Sequence, residues 1–225
     1  VAELPEISER KIYLVDKDEA AQSSLRTGQH AIPFDATGDF YKAGLMNFAL
    51  GGTFNSRINL NLREDKGYTY GARAFFSGDH ENGSFRFSSE VNKEATAASI
   101  TEVIGELDDY AANGMTEEEY DYMRSAIGQR DALRYETPSS KLGLLGNILR
   151  HDLPLNYRTM QKNVLQETDR DTLNALATEL IRPDEMAIVV VGDADVIRPE
   201  LAALGMPITD LDEDGFEVEH DPGAP

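Results

Sequence analysis

Residues 83–91 (GSFRFSSEV) alternate without a break, with Phe85, Phe87, Ser89 and Val91 set against Ser84, Arg86, Ser88 and Glu90. Successive side chains of a strand point to opposite faces, so this segment has one face to bury and one to leave polar. Residues 68–77 precede it across a loop containing Asn82-Gly83, and the two segments are expected to pair as an antiparallel hairpin. A period of two puts Tyr68, Tyr70, Ala72, Ala74 and Phe76 on one face of the first strand and Arg73 on the other.

Helical spacing supplies a layer to cover such a face. From Asp39, read as an N-cap, Tyr41, Leu45, Phe48 and Ala49 recur every three or four residues until Gly51-Gly52. Phe54, Ile58 and Leu62 then mark the buried stripe of a shorter helix that stops in the turn Arg63-Glu64-Asp65-Lys66-Gly67, with Gly67 expected in the left-handed conformation. Residues 93–112 carry Ala97, Ile100, Ile104, Leu107 and Ala111 on one stripe and stop at Asn113-Gly114. Thr116 and Glu119 form a capping-box pattern, and Tyr120, Met123, Ile127 and Leu133 continue the helix it starts toward Pro138. Helical pieces are expected at residues 139–151 and 156–165, around Pro154; Thr168 is expected to cap a helix through Leu173, Leu176 and Leu180 that ends before Pro183.

Three further segments read as strands or their neighbours. Residues 11–15 (KIYLV) form a short β-branched and aromatic run. Residues 22–32 alternate weakly, with Ser23, Leu25 and Thr27 on one face, and that polarity suits an edge or substrate-facing strand. Residues 185–192 (EMAIVVVG) are near-continuously apolar and predict a central strand buried on both faces, followed by a short helix at 196–204. Early strands, helices in the middle and a late strand indicate an α+β fold, a mainly antiparallel sheet packed against helices. No interior stretch reads as a linker, so residues 1–211 are expected to form a single domain and 212–225 an acidic tail.

Composition narrows the partners. Acidic residues number 41 against 21 basic ones, a net charge of −20, and the basic residues are scattered singly along the chain. Phosphate backbones and anionic bilayers are bound through clustered Lys and Arg, so neither nucleic acid nor a membrane surface is an expected partner. A solvated, salt-adapted surface accounts for such acidity, and it also steers cationic peptides. With no cysteine there are neither disulfides nor thiolate metal sites. The longest apolar run is strand-sized, which predicts no membrane insertion. The chain opens on Val1, which suggests a processed product or a piece of something longer.

Little chemistry is written in motifs. The four histidines, His30, His80, His151 and His220, stand far apart, and none belongs to an H-x-x-E-H pattern or its inverse, so no metal site is expected. There is no G-x-S-x-G elbow and no thiol. Glu117-Glu118-Glu119 suit the positive end of a helix dipole. What remains is Arg63 at a helix end and Tyr70 on the following strand. Read as structure, Arg63 pairs with Glu64 or Asp65 and Tyr70 is a strand aromatic; read as chemistry, the two stabilise an oxyanion on a peptide carbonyl without supplying a nucleophile.

Residues 50–71 (LGGTFNSRINLNLREDKGYTYG) closely resemble the signature of the pitrilysin/insulinase-type zinc metallopeptidases, specifically of their second, non-zinc domain, where a helix ending in L-R-E-x-x-G precedes a strand bearing Tyr. The opening strand with Gln22, the G-x-T-x-E-E segment at 114–119 and IVVVGD at 188–193 extend the likeness over most of the chain. The resemblance implies one half of a clamshell. The other half carries H-x-x-E-H and the zinc, and Arg63 and Tyr70 match the pair that reaches across to the scissile carbonyl. Gly51, Gly52 and Tyr68 are the expected substrate-binding residues, and peptides are expected to add as a strand mainly in the zinc half. The implied partners are a zinc-bearing domain or subunit and a peptide; alone, this chain is expected to cleave nothing. A noncatalytic scaffold, as in respiratory-complex core proteins similar to this family, and a peptide-binding module without turnover are the alternatives. Bacterial relatives of this type are often exported, which implies a periplasmic or exported setting.

Overall fold

Non-local pairing decides what stands at the centre of the sheet. In the computed structural model, which describes residues 7–133 and 137–218, the strands are β1 (Lys11–Asp16), β2 (Gln22–Ala31), β3 (Thr69–Gly78), β4 (Gly83–Asn92), β5 (Ala187–Gly192), β6 (Ile208–Leu211) and β7 (Glu217–Val218). They form one sheet in the order β3-β4-β2-β5-β1-β6-β7. The β1–β5 and β1–β6 pairs are parallel and the others antiparallel.

The edge placement expected for residues 22–32 is therefore corrected: β2 lies between β4 and β5. Two of its buried polar side chains, Ser23 and Gln29, find partners, while the Thr27 hydroxyl makes no hydrogen bond. Ser23 accepts a 2.7 Å hydrogen bond from Thr96 Oγ1. Gln29 donates to the Leu180 carbonyl at 2.7 Å and accepts from the Arg182 N–H at 2.8 Å. The opposite face, with Ser24, Arg26, Gly28 and His30, is the open side of the sheet. The β5 expectation is corrected in the same way. The strand is central in position, but only Ile188, Val190 and Gly192 are buried, while Ala187, Val189 and Val191 look onto the open side.

On the covered face α1 (Asp39–Leu50), α3 (Thr96–Asn113) and α8 (Ala194–Ala203) pack on the strands, α4 (Glu117–Leu133), α6 (Tyr157–Glu167) and α7 (Arg170–Leu180) pack on those helices, and α5 (Pro138–His151) lies outside them with no buried residue. Phe85, Phe87 and Leu25 from the sheet meet Met46, Ile100, Leu107 and Tyr110 from the helices in the main core. The Tyr110 hydroxyl donates to the Met46 carbonyl at 2.7 Å, and burial pushes that phenol far above its ordinary pKa. The Thr116–Glu119 capping box forms in both directions, at 2.7 and 3.2 Å. The cap of α7 is Asp169, which accepts from Thr172 N–H at 2.8 Å, while Thr168 ends α6. Asp39 occupies the first turn of α1 after a Gly38 cap. Gly67 adopts the expected left-handed conformation with φ 68°, and Gly114, where α3 stops, also has a positive φ of 64°. Leu133's side chain, and His220 with the rest of residues 219–225, lie outside the described residues. No helix among the described residues is long and apolar enough to cross a membrane.

Candidate functional site

The site is built where the chain leaves the helix layer for the sheet edge. After α1, a short helical turn, α2 (Arg57–Asn59), runs directly into a π-helical segment, Leu60–Asp65. Its widened turn is closed by a Lys66 N–H donating to the Asn61 carbonyl at 3.0 Å, five residues back. Two side chains tether this segment to α3: Asn61 donates to Glu102 and Glu106 at 3.0 and 2.8 Å, and Lys66 pairs with Glu102 at 2.8 Å. Lys66, and then Asn61, hold the Glu102 carboxyl below the usual carboxylate range.

Arg63 sits in the π turn, half-buried, with its Cζ 4.3 Å from the centre of the Phe54 ring and Nη1 3.2 Å from Glu64 Oε1. Nη1 is buried and makes no hydrogen bond. Helical spacing assigns Phe54 to the buried stripe with Ile58 and Leu62; the ring is instead 62% exposed and is the platform under the guanidinium.

A bulge re-aims the tyrosine. Thr69 pairs with Val91 and Ala72 with Ser89, so three steps on β3 match two on β4. Thr69, Ala72 and Ala74 are buried, whereas Tyr70 is 91% exposed. The shared face expected for Tyr70, Ala72 and Ala74 is thus corrected, because the extra residue breaks the period of two. Thr69 pins the bulge: its hydroxyl donates to the Glu90 carbonyl at 2.5 Å and accepts from Gly71 N–H at 3.1 Å, with Ser89 Oγ 2.9 Å away.

The outcome is a cavity of about 350 Å³ lined by Arg63, Glu64, Gly67, Thr69, Tyr70 and Asn92. It presents a guanidinium paired with Glu64 and an exposed phenol, and its lining has neither a thiol nor a histidine. Gly51, Gly52 and Tyr68 are not among the lining residues. Gly51 is buried where α1 meets β3: its carbonyl accepts from Ala74 N–H at 2.9 Å, and an added Cβ would stand 2.4 Å from Ala74 Cβ. Gly52 is exposed beside it, and Tyr68 packs half-buried on the core.

Three further residues hold the site and carry only a weak signal, a polar side chain in otherwise helical spacing. Asn59 accepts from Ala72 N–H at 2.9 Å and donates to the Phe54 carbonyl at 2.6 Å, so it ties the arginine's platform to the strand bearing Tyr70. Asn47 donates to the Ala74 carbonyl at 2.8 Å. With Gly51, these two asparagines occupy the outer edge of β3 at Ala72 and Ala74 and leave no room there for an added strand. Arg57 donates to Glu119 at 2.5 and 2.7 Å, to Asp109 at 2.8 Å and to the Gly114 carbonyl at 3.0 Å.

His80 and His151 approach to 5.1 Å between ring centres, and His151 stacks on Phe34 at 4.0 Å. Among the described residues no three His, Cys, Asp or Glu side chains gather as a metal site.

Comparison with known proteins agrees with the fold. Residues 1–127 match the family model for the peptidase M16 inactive domain. A protein of Helicobacter pylori, the non-peptidase homolog YmxG, is 26% identical over 171 residues, which cover 75% of this chain and 39% of that protein. The crystal structure of a peptidase M16 inactive domain from Pseudomonas fluorescens aligns with a TM-score of 0.73 at 25% identity, over 82% of this chain and 44% of that one. A protease from Helicobacter pylori shares the fold at a TM-score of 0.72 and 18% identity, over 83% of this chain and 45% of that one. The chain spans less than half the length of these relatives. With the signature stretch inside the matched residues and the fold shared, the chain belongs to the peptidase M16 inactive-domain family.

Proposed function

We propose that this chain is the non-zinc half of a two-half metallopeptidase, in which Arg63 and Tyr70 donate to the carbonyl oxygen of a bound peptide as it gains negative charge. The observation that supports this reading is the cavity that Arg63 and Tyr70 line together, with the guanidinium held over Phe54 and its Nη1 3.2 Å from Glu64 Oε1. A preorganised cation and phenol stabilise an oxyanion in the transition state, when stabilisation is worth most. The Phe54 face and the Glu64 carboxylate hold the guanidinium in place beforehand, so little reorganisation is needed at the moment of reaction. Metal ligands and the water-activating carboxylate belong, on this reading, to the companion half.

A second reading, a noncatalytic scaffold, is favoured by one observation: the Helicobacter relative bears the name of a non-peptidase homolog. Cleavage of a fluorogenic peptide by the protein assembled with its companion half separates the two. Replacing Arg63 with Ala is expected to lower kcat about 10²–10³-fold, the usual cost of one oxyanion donor, and Arg63→Lys to restore part of it. Unchanged turnover in Arg63→Ala, or no cleavage by the unaltered assembly, favours the scaffold.

A further inference from the structure

A single carboxylate on α3 reaches both ends of the π turn that carries Arg63. Glu102 Oε2 accepts from Asn61 Nδ2 at 3.0 Å, and its Oε1 pairs with Lys66 Nζ at 2.8 Å. The same two residues close the turn through the backbone, Lys66 N–H donating to the Asn61 carbonyl. In an α-helix, at about 3.6 residues per turn, side chains five positions apart diverge by about 140°, and only those three or four apart are neighbours. A turn closed from i to i+5 brings them onto one face. Glu102 thus grips a pair of side chains that the π register brings together and an α register separates.

The surroundings fix what this grip can control. Glu106, one turn along α3, also accepts from Asn61 Nδ2, at 2.8 Å, while Asn61 Oδ1 is buried without a hydrogen bond. The amide is therefore oriented by the two carboxylates at the expense of its own oxygen. Asn59 anchors the entry to the turn, and at its exit Tyr68 N–H donates to the Leu62 carbonyl at 2.8 Å. Arg63 lies between these anchors, so the register of the turn sets the direction in which its stem leaves the helix. The Lys66 and Glu102 side chains are 39% and 27% exposed, and pairs this accessible add little to global stability. Their effect is local.

We propose that Glu102 is a positioning residue: it locks the π register and so aims Arg63 over Phe54 and into the cavity shared with Tyr70. The inference rests on the oxyanion role proposed above for Arg63 and adds what keeps the arginine there. Without Glu102, Asn61 is still held by Glu106, but Lys66 loses the carboxylate that ties it to Asn61. The turn then relaxes toward the commoner α register and winds Arg63 away from its platform.

The test is a double-mutant cycle of wild type, Glu102→Ala, Arg63→Ala and the double variant, each assembled with its companion half and assayed on a fluorogenic peptide. Alanine suits a helix interior, and melting curves check the fold. Glu102→Ala is expected to lower kcat about tenfold or more with KM little changed, since a displacement of about 1 Å at a catalytic group can cost 10²-fold. In the Arg63→Ala background it is expected to cost nothing further, because it acts through that arginine. Glu102→Gln, which keeps one acceptor for Asn61, is expected to recover part of the loss. A crystal structure of Glu102→Ala is expected to show Lys66 N–H moved off the Asn61 carbonyl. An unaltered turn with Arg63 still over Phe54, an unchanged kcat in Glu102→Ala beside a lowered one in Arg63→Ala, or an equal loss from Glu102→Ala in both backgrounds would each overturn the positioning role and leave the oxyanion reading standing. An unchanged kcat in Arg63→Ala would overturn both together.

Discussion

Replacing Arg57 with Met keeps most of the stem and removes the guanidinium that joins α2, the end of α3 and the start of α4. Its side chain is 18% exposed and that of Glu119 is 25% exposed. The substitution therefore strands a mostly buried carboxylate and the Gly114 carbonyl, which accepts from Nη2 at 3.0 Å. Breaking a fully buried ion pair costs about 3–5 kcal/mol; with the residual exposure of both partners and the Thr116 N–H still bound to Glu119, the expected loss is about 2–3 kcal/mol. The pH dependence follows from Glu119. Burial pushes its carboxyl up, but the Arg57 hydrogen bonds and the Thr116 N–H outweigh burial and hold it below the usual range. A depressed carboxylate stabilises the fold above its unfolded pKa of about 4.3 and loses that contribution as pH falls through the lower folded value. Urea denaturation of wild type and Arg57→Met is thus expected to show the full gap at pH 7 and a smaller one at pH 3. A loss under about 1 kcal/mol at pH 7, or a gap that widens in acid, would refute the assigned network.

Two further substitutions probe how the site is held. Gly51→Ala drives a methyl group into Ala74, at 2.4 Å from its Cβ and 2.7 Å from its N, and is expected to destabilise by about 1–3 kcal/mol as overpacking does; a melting temperature equal to wild type contradicts the close approach of α1 and β3. Asn59→Ala leaves the Ala72 N–H and the Phe54 carbonyl without their partner, an expected loss of about 1–3 kcal/mol. Hydrogen exchange at the Ala72 amide should accelerate at the same time, and an unchanged rate would count against the tether.

Much of the fold is legible locally. The Phe85/Phe87 alternation, the Thr116–Glu119 box and the left-handed Gly67 each follow from a rule that acts within a few residues, and each has its physical cause in the chain itself. The failures share the opposite property. The period of two misplaces Tyr70 because an inserted residue is invisible until Thr69 and Ala72 are paired with β4. Ser23 and Gln29 read as edge polarity because Thr96, Leu180 and Arg182, which satisfy them, lie far along the chain. Residues 185–192 read as doubly buried although the described residues bury one face of β5. Phe54 was indistinguishable from a core residue until the π turn brought Arg63 over it. The Arg63–Tyr70 cavity thus has its residue types in the signature stretch, while its geometry comes from two departures from regular structure, a π-helical segment and a bulge.

Tyr70→Phe is the sharpest probe of the central claim, since it removes one hydroxyl from a side chain that is 91% exposed and leaves the fold untouched. In the protein assembled with its companion half, kcat for a fluorogenic peptide is expected to fall about 10²-fold with KM little changed, the pattern of a donor used in the transition state alone. An unchanged kcat, or a change confined to KM, would contradict a role for Tyr70 in stabilising the oxyanion.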